Sequence, residues 1–223
     1  MKKLSIFGLL LLGVALLVAP TLAQDAAEEA PLVVSFGDET GLFSLQYPAD
    51  FFVAGQSWIE SAGLPFPSVV FSSSLDIFNR PTAPPYAPIA MGDWGVAVIF
   101  FPKAMFAPMG VAADAPILDV ANAWAQMSLS EADPANVTFL PDPVILDSGA
   151  EAIVIIGDAD DGVEDQYLML HEITDGVIVL TTIVSAVDGR TDDMVAAHLA
   201  LTNSIEFTGT AEDVLAMMTP PGQ

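Results

Sequence analysis

The 223-residue chain carries 29 acidic side chains against five basic ones and contains no cysteine. Lys2 and Lys3 precede residue 24 and every acid follows residue 23, so the remainder sets three bases against 29 acids, a formal charge of −26. A surface this negative repels nucleic-acid phosphates and anionic headgroups and attracts cations within roughly 8 Å at physiological salt, and the absence of cysteine excludes thiol catalysis, thiolate metal sites and disulfides.

Residues 1–23 read as a secretory signal peptide. Lys2 and Lys3 form its positive start, Leu4 to Val18 its apolar run, and Pro20-Thr21-Leu22-Ala23 a small-residue cleavage site before Gln24. The apolar run falls short of the ~20 residues a spanning helix needs, and acids follow it with no basic stop-transfer flank. The alternative is a retained anchor; cleavage predicts a secreted, extracytoplasmic protein with no membrane insertion. Residues 24–31 are acidic and Ala-rich and read as a disordered spacer. The remaining chain, about 200 residues, suits one domain, placed at 32–208 with a C-terminal tail at 209–223.

Strands dominate that domain. Gly41 to Tyr47 alternates apolar and small or polar residues until Pro48, and Phe51 to Val53 and Ser68 to Ser72 follow as short β-rich runs. Trp94 to Phe101, Ala150 to Ile156 and Val177 to Ser185 are nearly continuous in Val, Ile, Leu and Phe, the pattern of strands buried on both faces. Gln166 to Ile173 pairs with Val177 to Ser185 through the two-residue turn Asp175-Gly176. Two helices are predicted to cover this sheet. Pro116 to Ser130 places Ile117, Val120, Ala121, Trp124 and Met127 on one face, and Thr191 to Ser204 starts with a capping threonine and aligns Met194, Val195, His198, Leu201 and Ile205. Ala211 onward holds one or two helical turns whose placement the sequence leaves open. The fold class is α+β, an α-β-α sandwich with a central antiparallel sheet covered by helices.

The order of elements resembles a family. Phe43-Ser44-Leu45-Gln46-Tyr47-Pro48-Ala49-Asp50-Phe51 is similar to the opening of PsbP-like domains, in which a Trp commonly stands where Phe51 stands here. A long strand at Trp94 to Phe101, a helix, three strands and a last helix running into Asn203-Ser204-Ile205-Glu206-Phe207 complete the resemblance over most of 36–208. These motifs mark packing and turns and carry no chemistry. The resemblance implies the same antiparallel sandwich and an accessory, scaffolding or assembly role outside the cytoplasm.

Candidate chemistry is sparse. His171 and His198 are the only histidines, and no His-Glu-x-x-His or Gly-x-Ser-x-Gly motif accompanies them; each reads as a core or boundary residue. Asp158, Asp160, Asp161, Glu164 and Asp165 form an acidic run between two buried strands, either a source of the oxygen ligands calcium takes at about 2.3–2.6 Å or a solvated hairpin loop. Its spacing departs from an EF-hand, with Gly162 at the fifth position and Met169 at the twelfth. Arg80, Tyr86 and Trp94, with Trp58, Phe66, Phe71 and Phe78, surround the Pro-rich segment Arg80 to Pro88, where they form either a ligand groove or ordinary core. Asn136-Val137-Thr138 is a glycosylation sequon or the start of a strand.

The reading is therefore a secreted, non-enzymatic accessory or interaction module, with a protein partner or cationic surface and no nucleic acid. The competing class is an extracytoplasmic calcium- or small-ligand-binding module, calcium being the one cofactor it would use. The acidity is also what solubility at high ionic strength requires.

Overall fold

Five strongly apolar or alternating runs meet in one large sheet, because each has two faces to bury and only its neighbours can satisfy its backbone. A computed structural model describes residues 33–54, 66–78, 89–128, 137–158, 165–186 and 190–218. They belong to a unit extending from Val33. The leader, the acidic spacer and the sequon's Asn136 lie outside the described residues.

In chain order the strands are β1 (Val33–Gly37), β2 (Phe43–Pro48), β3 (Phe52–Ala54), β4 (Ser68–Ser72), β5 (Trp94–Pro102), β6 (Val137–Phe139), β7 (Val144–Ile145), β8 (Glu151–Asp158), β9 (Asp165–Thr174), β10 (Val177–Ser185) and β11 (Glu206–Phe207). A helical turn α1 (Leu75–Phe78), a 3-10 helix η1 (Lys103–Met109), and helices α2 (Ile117–Ser128), α3 (Asp192–Asn203) and α4 (Ala211–Met218) separate them. The large sheet runs β3-β4-β5-β10-β9-β8-β6, with β7 also on β8, and the small one runs β1-β2-β11. All pairs are antiparallel. The expected α+β class holds, and the α-β-α layering gains a further element, the small sheet, which shares one face with α3 and α4.

The hairpin at Asp175-Gly176 forms as its dipeptide dictates. Thr174 pairs with Val177, and Gly176 takes φ 76, a left-handed conformation that a side chain would strain. Thr191 caps α3, its hydroxyl accepting a hydrogen bond from the Met194 amide at 3.3 Å.

The large sheet is buried on both sides. On one face Phe101, Ile153, Ile155, Leu168, Leu170, Ile178 and Leu180 meet Phe106 from η1 and Ile117, Val120, Ala121 and Trp124 from α2. Met127 departs from the sequence expectation; at 45% exposed, in the last turn of α2, it stays outside the apolar cluster on the sheet. On the other face Val69, Phe71, Val98, Phe100, Met169, Val179 and Ile183 meet Phe43 and Leu45 of β2, Met194 and Leu201 of α3, and Val214 of α4. The segment the sequence leaves unplaced is thus a packed helix, with Val214 fully buried. Aromatic rings tie this side together: Phe100 lies 4.5 Å from Phe43 and 5.1 Å from Phe207, and Tyr47 stacks on Phe71 at 4.6 Å.

Candidate functional site

The acidic run sits at the β8–β9 hairpin. Its register pairs Asp158 with Asp165, so the two ends of the run face each other across the ladder. Asp160, Asp161 and Glu164 lie outside the described residues. Of the proposed aromatic groove, Arg80, Tyr86 and Trp58 also lie outside them. Trp94 is described and packs into the core, edge-on to Phe51 with ring centroids 4.7 Å apart, while its backbone exchanges hydrogen bonds with Ser73. Phe71 is fully buried in the same cluster.

The two histidines share an interior. His171 and His198 are both buried on the face covered by the small sheet, α3 and α4. Tyr167, Met169 and His171 alternate along β9 toward that face, while Met194, His198 and Leu201 follow one stripe of α3. The His198 ring meets Tyr167 edge-on, centroids 5.8 Å apart at 82°, and Arg190 lies over the same tyrosine, 5.4 Å from its centroid. Neither ring nitrogen of His198 has a hydrogen-bond partner, nor does Nδ1 of His171. Burial alone pushes His198 down to about 3 and His171 down to about 4. Burial also raises the Tyr167 hydroxyl, with Arg190 opposing it. The buried hydroxyl of Ser185 is unbonded as well, so it forms no Ser–His pair. Among the described residues, no three His, Asp or Glu side chains approach closely enough to hold a metal ion.

Charge is distributed unequally between surface and interior. Lys103, 5% exposed, pairs with Glu172 at 2.8 Å, and the other carboxylate oxygen of Glu172 accepts from the Gly176 amide at 2.9 Å. The Lys103 amide in turn donates to the Gly176 carbonyl at 2.8 Å, which locks η1 to the β9–β10 turn. With Arg190 against Tyr167, both described cations are engaged with the fold. Outside the β8–β9 turn, the described carboxylates are all exposed or partly exposed.

One concavity lies within this acidic surface. A notch of about 200 Å³ opens between the end of η1 and the outer side of α2, lined by Met109, Gly110, Val111, Asp119, Asn122, Ala123 and Gln126. Asp119, Asn122 and Gln126 recur at helical spacing, so their head groups stand along one side of α2. Met109, exposed, supplies aliphatic surface beside them, while Val111 and Ala123 are buried. Sequence reasoning missed these residues because it followed the apolar stripe of α2; the polar stripe opposite was the available signal.

No family profile matches the chain, and no curated protein does. Among solved structures it is similar to cyanobacterial PsbP (CyanoP) from Synechocystis sp. PCC 6803, with a TM-score of 0.46 and 11% identity over 84% of this chain and 99% of that one. It is similar to a Pseudomonas aeruginosa protein of unknown function, a putative regulator, with a TM-score of 0.38 and 11% identity over 80% and 99% of the two chains. A third, the type VI secretion immunity protein TplEi of Pseudomonas aeruginosa in complex with a peptide, gives a TM-score of 0.36 and 11% identity over 80% and 99%.

Proposed function

We propose that this chain is a non-enzymatic interaction module of the extracytoplasmic space whose partner presents a cationic surface. The observation that supports this reading is the separation of charge: both described cations are engaged with the fold, while the described carboxylates outside the β8–β9 turn face water or its margin. A leader-like N-terminus supports export, and no helix among the described residues is long and apolar enough to cross a membrane.

Within that surface the α2 notch suits a lysine or arginine side chain of the partner. The aliphatic stem of such a side chain lies on Met109, and its head reaches Asp119 and the carboxamides of Asn122 and Gln126. The test is calorimetric binding of a lysine-rich peptide in about 50 mM and about 500 mM sodium chloride. Saturable binding that weakens steeply with salt, and several-fold with Asp119→Asn, is expected. Salt-independent binding, or equal binding of an acidic peptide, overturns the reading.

A second reading, a calcium-binding module, is favoured by the pairing of Asp158 with Asp165, which draws the ends of the acidic run together. Specific calcium stabilises the folded state by about 2.7 kcal/mol at a hundredfold excess over Kd. A melting shift larger with calcium than with magnesium at fixed ionic strength, and lost in Asp158→Asn/Asp160→Asn/Asp161→Asn, supports it; equal shifts return the loop to a solvated turn.

A further inference from the structure

His198 is an interior residue with nothing to hold a proton. It is 0% exposed, both of its ring nitrogens are without partners, and it lies on the stripe of α3 that Met194 and Leu201 bury against the large sheet. Among the described residues, α3 packs most extensively on β10 and β2. Strand β10 carries no titratable residue. The one titratable side chain of β2 is Tyr47, which stacks on Phe71. From β9 come Tyr167, in edge contact with the imidazole, and the equally buried His171, whose cross-strand partners are Ala152 and Val179. Glu172 is bonded to Lys103 and the Gly176 amide. Arg190, over the far partner of this contact, is itself positive. Asp192, Asp193, Glu206, Glu212 and Asp213, on α3, β11 and α4, are all exposed, and Asp188 lies outside the described residues. Among the described residues, a proton on His198 or on Nδ1 of His171 therefore meets no hydrogen-bond acceptor and places a cation in an apolar layer.

We infer that the layer formed by α3, α4 and the small sheet is an acid-released latch: taking up protons at His198 and His171 undocks it and bares the aromatic face of the large sheet. The opposite face contains no histidine, and its cover, η1 with α2, stays in place. Depression of a histidine below its unfolded value of about 6.5 means the folded state binds fewer protons than the open one. The stability this represents is complete above about pH 6.5 and is lost as pH falls toward about 3 for His198 and about 4 for His171. The surface acids act with the opposite sign, because protonating them relieves their mutual repulsion. Acid release is thus a property of the two buried rings and separable from the general charge.

The experiment is hydrogen exchange followed by mass spectrometry on the exported chain from pH 7 to about 4, corrected for the intrinsic pH dependence of exchange. Peptides from α3 and β2 are compared with peptides from α2. Protection of α3 and β2 is expected to fall on the order of 10,000-fold over this range, on the order of 100-fold for each ring at a slope of up to tenfold per pH unit per ring, while α2 retains its protection. In His198→Leu the fall is expected to shrink to what His171 alone supplies, and in His198→Leu/His171→Leu to vanish. Because leucine can disturb packing, the imidazole signals of the wild-type chain are titrated by NMR in parallel. A His198 ring that protonates near pH 6.5 while α3 stays protected overturns the latch. Equal loss of protection in α2 and α3, or an acid transition that survives the double substitution, overturns it as well.

Discussion

The two faces of the large sheet are covered in different ways. One is covered by residues 103–128, which leave β5 as η1 and return as α2, a single run of chain laid beside the strand it follows. The other is assembled from both ends of the domain: β1 and β2 come before the sheet, and α3, β11 and α4 come after it. The local cover makes short loops, so its closure costs little entropy, while the composite cover needs contacts across the length of the domain, such as the Gln46 amide donating to Ser204 at 2.8 Å. The composite side also buries His171, His198, Thr181 and Thr202, while the buried cation of the local cover, Lys103, is paired with Glu172. A sheet buried twice thus has one seal whose buried charge is paired and one that encloses histidine nitrogens without partners. The second is where solution conditions can act.

The largest effects come from deleting one anchor on each side. Trp124→Ala removes the ring that centres α2 on the sheet, and Phe100→Ala removes the ring between Phe43 and Phe207; urea melts are expected to show a loss of about 3–5 kcal/mol for each. A Trp124→Ala protein that melts with the wild type would remove the helix-on-sheet seal from the comparison. Next comes the clasp between the seals' shared strands. Lys103→Met strands Glu172 beside the β9–β10 turn, and because Glu172 is 29% exposed and keeps the Gly176 amide, the expected loss is about 1–2 kcal/mol. Lys103→Met/Glu172→Gln should recover most of it, and a double variant no better than the single one would show that the cost lies in packing.

A smaller effect sharpens the composite side. The Thr181 and Thr202 hydroxyls lie 3.0 Å apart, and Thr202 donates to the His198 carbonyl at 2.9 Å. Thr202→Val leaves Thr181 without that partner and is expected to cost about 1 kcal/mol, with faster exchange in α3 and none in α2. The smallest effect belongs to neither face. Monovalent salt added to a low-salt sample should raise the melting temperature by screening the carboxylates, and the rise should be the same in Trp124→Ala and Thr202→Val. A flat response would show that the acids are spread too thinly to oppose the fold.

Much of the local seal was legible in the sequence, because periodicity reports burial where one element packs on one face. Ile117, Val120, Ala121 and Trp124 at helical spacing predicted it, and only Met127 departed. The hairpin at Asp175-Gly176 and the cap at Thr191 were legible for a similar reason, since each depends on residues within a few positions of itself. The composite seal was less so. Strand β1 was not predicted, being largely exposed with little alternation to mark it. Helix α4 was too short for its pattern to place it, and β11 has two residues. The α2 notch escaped because its residues come from two elements, and only their packing makes a concavity.

What the sequence by itself determined was the material of the molecule: its negative charge, the lack of thiol chemistry, strands apolar enough to be covered twice, and two helices with one apolar face each. Those properties follow from composition and from spacings of two to four residues, and no fold can alter them. Which charges remained outside was decided only by tertiary structure. Lys103 meets a glutamate 69 positions away, Arg190 meets Tyr167, and His198 loses every partner on entering the layer beneath α3. These outcomes depend on desolvation and on contacts between distant segments, and both arise only once the chain has closed on itself.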